Sequence, residues 1–259
     1  SISTIGPGER ARRHWELARA RGLRTVAKTQ CGNTWELSAV PYVPALANIA
    51  RHIANLRQQG VNGLMLGWTL GGYPSPNLEV AAELGAAPAG SPAAEPDGAL
   101  ARVAERRFGR ELAPPVVQAW QDYSTAFSEF PFHGSLVYNA PMQVGPANPL
   151  WGEPAGYHAS MVGFPYDDLD AWRAVYPPEV FVGQFEKVAT GFERAHTSLA
   201  AAFQACRSRL TPAQTAAALQ ELNVGEAAVI HFRSTANQAC FVIARRRLQA
   251  ATSVADAQS

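Results

Sequence analysis

Arg24-Thr-Val-Ala-Lys-Thr-Gln30, Asn33-Thr-Trp-Glu36, Gly63-Leu-Met-Leu-Gly-Trp-Thr69 and Gly71-Gly-Tyr-Pro-Ser-Pro-Asn77 are the segments whose reading decides the fold. Between the second and third, Leu46, Ile49, Ala50, Ile53 and Leu56 recur at helical spacing, the stripe of a helix with one face in a core. Two short apolar runs therefore flank an amphipathic helix, and each ends in aromatic, amide or carboxylate residues. The pattern predicts a strand–helix–strand unit with parallel strands. Val61 to Thr69 is almost continuously apolar, as in strands buried on both faces of a parallel sheet. In such folds ligands bind at the C-terminal ends of the strands, so the polar chemistry is expected there.

Working outward, Glu9 to Arg21 reads as a helix with Ala11, Trp15 and Ala18 on one face and arginines around the other, ended by Gly22. Residues 31–43 form a long polar loop before Pro44, where first-turn proline is tolerated. Composition shifts to Ala, Pro, Gly and Ser over 85–99, which reads as a linker between an α/β portion, residues 1–84, and a mainly helical portion, residues 100–259. There, helices are expected from Leu100 to Phe108 and from Pro114 to Phe130. The segment 134–165 reads as a long non-helical loop rich in Tyr, Asn, Trp and His. Asp167, Asp168 and Asp170 precede a short helix and most simply cap it. Phe185, Phe192, Leu199 and Cys206 then recur by sevens with Val188, Ala195 and Ala202 between them, a seam for a helix packed lengthwise on a neighbour. Thr211-Pro-Ala-Gln214 is a capping box that opens one or two further helices reaching about Ala251.

The bulk numbers narrow the function classes. At 259 residues and 47% apolar composition the chain can bury a large core. A formal charge of +1 gives no reason to expect a nucleic-acid or anionic-membrane partner. No apolar run reaches the length of a membrane span. Cys31, Cys206 and Cys240 are too few and too scattered for a disulfide framework or a zinc site. Neither a phosphate-binding glycine pattern nor a His-Glu-x-x-His helix is present, so no cofactor or metal is implied. His52 reads as a surface residue of its helix.

Chemistry is expected at the strand ends. Glu36, next to Asn33 and Trp35, is the candidate catalytic carboxylate, and its plainer role would be to cap a loop. Lys28 and Gln30 alternate to the same side of their strand. Trp68, at the end of the following strand, could stack on a sugar ring or fill a core. Tyr73 adds an aromatic wall, and Glu79 is a further polar candidate that could equally start a helix.

A strand ending near Asn33-Thr-Trp-Glu36, a short helix, and a strand ending in Trp68 before Gly71-Gly-Tyr-Pro-Ser-Pro-Asn77 resemble the closing third of (β/α)8-barrel glycoside hydrolases. The likeness is to large bacterial carbohydrate-active proteins in which a helical region follows the barrel. It covers roughly residues 1–80. Arg107-Phe-Gly109, Phe130-Pro-Phe-His133 and Val162-Gly-Phe-Pro-Tyr-Asp167 look like the helical region of the same kind of protein. The resemblance implies an α/β fold made of the last βα units of a TIM barrel followed by a helical region. It also implies a carbohydrate ligand, with Trp68 and Trp35 stacking on sugar, Glu36 binding or catalysing, and Asn33 and Lys28 holding hydroxyls or a carboxylate. A glycosidase needs two carboxylates, about 5–5.5 Å apart for retention or roughly 6.5–9.5 Å for inversion. The second would lie upstream, so the chain reads as the later part of a longer protein whose earlier part completes the site. The alternatives are a non-catalytic carbohydrate-binding protein and a helical scaffold or interaction module led by the seam after Phe185.

Overall fold

A computed structural model describes residues 1–67, 73–88, 90–139, 150–154, 156 and 167–252. In order these form α1 (Glu9–Arg19), β1 (Val26–Lys28), α2 (Leu46–Gln58), β2 (Gly63–Met65), α3 (Pro76–Ala86), α4 (Pro96–Phe127), α5 (Gly134–Asn139), α6 (Leu169–Trp172), α7 (Pro178–Cys206) and α8 (Pro212–Ala250). Helix accounts for 67% of this structure, and the two strands have three residues each. The fold is mainly α. This corrects the expectation of an α/β chain built from the closing units of a (β/α)8 barrel.

The strand–helix–strand unit itself forms, with β1 parallel to β2 and Ala27 opposite Leu64. No third strand joins them among the described residues. The apolar run that begins at Val61 is not buried on both faces: Met65 is 54% exposed, as is Val26 at 58%, and in β1 only Ala27 is buried. Helices supply the core instead, because their apolar stripes are longer and meet one another. Buried apolar side chains from Ile2 to Val242 form one cluster.

The helices stack in sequence, α2 and α3 on α4, α4 on α7, and α7 on α8. Phe185, Val188, Phe192, Ala195, Leu199 and Cys206 are all buried along α7, as the heptad spacing predicts. The aromatic rings of Phe127, Phe192 and Phe232 meet where α4, α7 and α8 converge. The Thr211 capping box is present, and α8 runs on from it as one helix of 39 residues. In α4 the helical φ/ψ is broken at Gly109, which has φ +80°. Glycine is required there by the left-handed backbone, and a Cβ would also displace the end of the Gln214 side chain, whose Nε2 it would meet at 2.6 Å. The helix resumes before Pro114, ahead of the start expected from the sequence. The stretch read as a linker holds the last turn of α3, a 3-10 turn at Pro92–Ala94 and the first residues of α4.

Helix ends are finished by side chains from neighbouring elements. The residue before α2, Ala45, has no capping group, and the Ser124 hydroxyl of α4 accepts from Ala47 N and Asn48 N at 3.0 and 3.3 Å. The Arg57 guanidinium donates to the carbonyls of Leu84, Gly85 and Ala87 at the end of α3. Arg19 does the same for Gln59 at the end of α2. Asp168 caps α6 by accepting from Ala171 N, whereas Asp167 pairs at 2.7 Å with buried Arg245 and Asp170 pairs with Arg173 and Arg246. Among the described residues no helix is long and apolar enough to cross a membrane.

Candidate functional site

The polar loop after β1 is closed at its base. Asn77, in the first turn of α3 and fully buried, donates through Nδ2 to the carbonyls of Cys31 and Val43, both at 2.8 Å. Val43 N in turn donates to Gly32 O. The Cys31 thiol is buried against Asn77 O, and burial pushes its pKa up to about 12, so it remains an inert thiol. The loop thus leaves and re-enters the fold at one point. Within it, Leu37 N donates to Thr34 O at 3.1 Å, forming a tight turn that presents Trp35 and Glu36 to different surroundings.

Glu36 turns inward and is 0% exposed. Its carboxylate accepts from Ile2 N at 2.6 Å, Ser3 N at 3.2 Å, the Ser3 hydroxyl and the Thr34 hydroxyl at 2.8 Å. A carboxylate offers about four acceptor positions, and four donors from the protein occupy them. The Thr34 hydroxyl also lies 2.6 Å from the Gln30 side-chain amide. A hydroxyl has one proton, so both contacts are satisfied when Thr34 donates to Glu36 and the Gln30 amide is turned to donate to Thr34. Glu36 therefore fastens the loop to the segment around Ile2 and Ser3.

Trp35 turns the other way and forms an edge-to-face pair with Tyr138 of α5, ring centroids 5.7 Å apart. Beside this pair opens a pocket of about 450 Å³, lined by Lys28, Gln30, Thr34, Trp35, Glu36, Phe132 and Tyr138 among others. Lys28, exposed, and Gln30, half-buried, come from the same side of the β1 segment, as their alternation predicts. Glu36 is the one acid among the described lining residues.

The structure brings together Lys28, Trp35 and Glu36 from the sequence-predicted set. Asn33 lies in the same loop, half-buried, and does not line the pocket. Tyr73 is elsewhere, stacked on Tyr42 with centroids 6.2 Å apart and accepting from Gln220 Nε2. Glu79 pairs with Arg106 and with Arg107 at 3.3 and 2.5 Å, tying α3 to α4. Trp68 lies outside the described residues. Phe132 and Tyr138, on the opposite wall, sit about a hundred positions further along the chain, and nothing in their local pattern indicates which segment they face. His52, read as a surface residue, is partly buried beside Gly6, and burial lowers its pKa to about 4.

A second carboxylate escaped the sequence reading. Glu221 of α8 is 1% exposed and accepts from Trp120 Nε1 at 2.6 Å and Tyr42 Oη at 2.7 Å. Burial raises its pKa, and with it those of Tyr42 and Tyr123. The available signal was its register: Glu221, Ala228, Thr235 and Val242 are spaced by sevens and all are buried. No family model, curated protein or solved structure matches this chain.

Proposed function

We propose that this chain is a carbohydrate-binding protein that holds a saccharide beside Trp35 without hydrolysing it. The observation that carries the reading is the pairing of an aromatic wall with a spent carboxylate. Trp35 and Tyr138 border an open pocket, while Glu36 has its acceptor positions taken by Ile2, Ser3 and Thr34. A sugar ring has apolar C–H faces and a polar rim. An indole face packs against the former, and the ammonium of Lys28 and the amide of Gln30 suit the hydroxyls of the latter. The volume lies within the roughly 300–1,000 Å³ usual for small-ligand sites. Glycoside hydrolysis by the common route needs two carboxylates with room to act on the bond. Glu36 serves the loop, and no other described acid lines the pocket, which favours binding over turnover.

The test is calorimetric titration with a panel of neutral and acidic mono- and oligosaccharides. Wild type should bind at least one member, and Trp35→Ala should weaken that binding tenfold or more with its circular dichroism unchanged. Absence of binding across the panel, or equal affinity in Trp35→Ala, would overturn the reading. Release of reducing sugar from a bound oligosaccharide would overturn its non-catalytic part.

A further inference from the structure

Charge is shared unevenly along the chain. Residues 1–28 hold seven Arg and Lys against two acids, Glu9 and Glu16, whereas the remaining residues hold 15 against 19. In the helical stack arginines are spent on carboxylates: Arg102, Arg106 and Arg107 pair with Glu79 or Glu83, and Arg245 with Asp167. Arg24 is different. It is exposed, and its side chain makes no ion pair or hydrogen bond among the described residues. Its position ties it to the pocket. Burial alternates along the strand, with Thr25, Ala27 and Thr29 buried and Arg24, Val26 and Lys28 exposed, so the three exposed residues share one side. Pairing with the neighbouring strand reaches back to Thr25, whose carbonyl accepts from Asn62 N at 2.8 Å. At strand rise, Arg24 stands about 13 Å from Lys28.

On the partner strand Gly63 lies opposite Val26 and Met65 opposite Lys28. A Cβ at Gly63 would meet Val26 Cγ2 at 3.6 Å, so the two positions face the same way, and the missing side chain leaves the face low. This face therefore has a cation at each end and an aliphatic strip of Val26 and Met65, both exposed. Its Lys28 end opens into the pocket beside Trp35. The acid there, Glu36, is answered by four donors of its own. A ligand running out of the pocket across the strands meets C–H-compatible surface and then a guanidinium suited to bidentate carboxylate. Single-stranded nucleic acid is also anionic, but its bases stack on successive aromatic rings, and Val26 and Met65 supply none. We propose that the pocket is one end of a longer site whose ligand is an acidic oligosaccharide, held at Trp35 and extending over β1 and β2 to Arg24. The inference rests on the saccharide reading above and names its ligand class.

The experiment is calorimetric titration with galacturonate and mannuronate as monomer, trimer and hexamer, each as the free acid and as its uncharged methyl ester. In at least one series the acidic hexamer should bind about tenfold or more tighter than its ester. That advantage should shrink as salt rises from about 0.05 M to about 0.5 M. Arg24→Gln should weaken the acidic hexamer about tenfold while leaving the monomer unchanged, and Arg24→Lys should recover part of the loss. Arg110→Gln, which removes an exposed cation of α4 paired with Glu105, should behave as wild type and so separate a local contact from net charge. Equal binding of acids and esters, equal binding of hexamer and monomer, or an Arg24→Gln chain that binds the hexamer as wild type does would overturn this inference alone. So would binding of neutral sugars with no binding of either acidic series, or an oligothymidylate that binds more tightly than the acidic hexamer. Absence of binding by any saccharide would overturn the pocket reading, and this inference with it. Should Arg24→Gln fail to fold, the charge and length preferences of wild type decide.

Discussion

Glu36 accepts four hydrogen bonds, two from hydroxyls and two from backbone N–H groups that can only donate. Glu36→Gln keeps the shape but turns an NH2 group toward the N–H of Ile2 or of Ser3, which cannot accept. We expect a loss of about 1–3 kcal/mol from the unsatisfied pairs, read as a lowered urea midpoint at pH 7. Unchanged stability would mean that the clasp does not form. The sequence marks this residue by its position after a strand and beside Trp35, and Glu36 is among the residues that line the pocket. What it does there was not legible. Its partners Ile2 and Ser3 lie more than thirty residues away and carry no pattern, and a carboxylate engaged by backbone N–H looks the same in sequence as one awaiting a substrate. Glu79 shows the same ambiguity, and its ion pairs with Arg106 and Arg107 give it to the α3–α4 contact.

At the scale of elements, repetition separates what can be read from what cannot. The α7 seam repeats over three heptads, so an error at one position is outvoted by the rest, and Phe185, Phe192 and Leu199 are buried as the spacing predicts. Phe192 touches Tyr123, Phe127 and Phe232, joining α7 to α4 and α8. Phe192→Ala should therefore cost about 3–5 kcal/mol, measured by chemical denaturation; a loss below about 1 kcal/mol would show that the convergence of the three helices is not the core. The strands offer no such redundancy. A nine-residue apolar run from Val61 is consistent with a buried strand, but tertiary contacts decide how much of it is covered. Here the described part pairs over three residues and leaves Met65 exposed. Helix ends were legible where the cap is local, as at Thr211, and hidden where it is supplied from afar, as when Ser124 caps α2.

For the molecule as a whole, one correct unit led to a wrong class. The parallel pair β1–β2 crossed by α2 exists, but it joins the rest through α2 on α3 and α4, and fold class is set by the stack of helices that continues from α4 through α7 to α8. The pocket lies where these two kinds of structure meet, with β1 and its loop on one side and Phe132 and Tyr138 on the other. The central claim is that this junction binds a saccharide. The most direct measurement is nuclear magnetic resonance of labelled protein titrated with a binding oligosaccharide. Shifts should concentrate at the amides of residues 28–36, the Trp35 indole N–H and the Tyr138 ring, leaving the α7–α8 seam around Leu199 unmoved. Shifts centred away from Trp35 and Tyr138, or none at saturating sugar, would contradict the account.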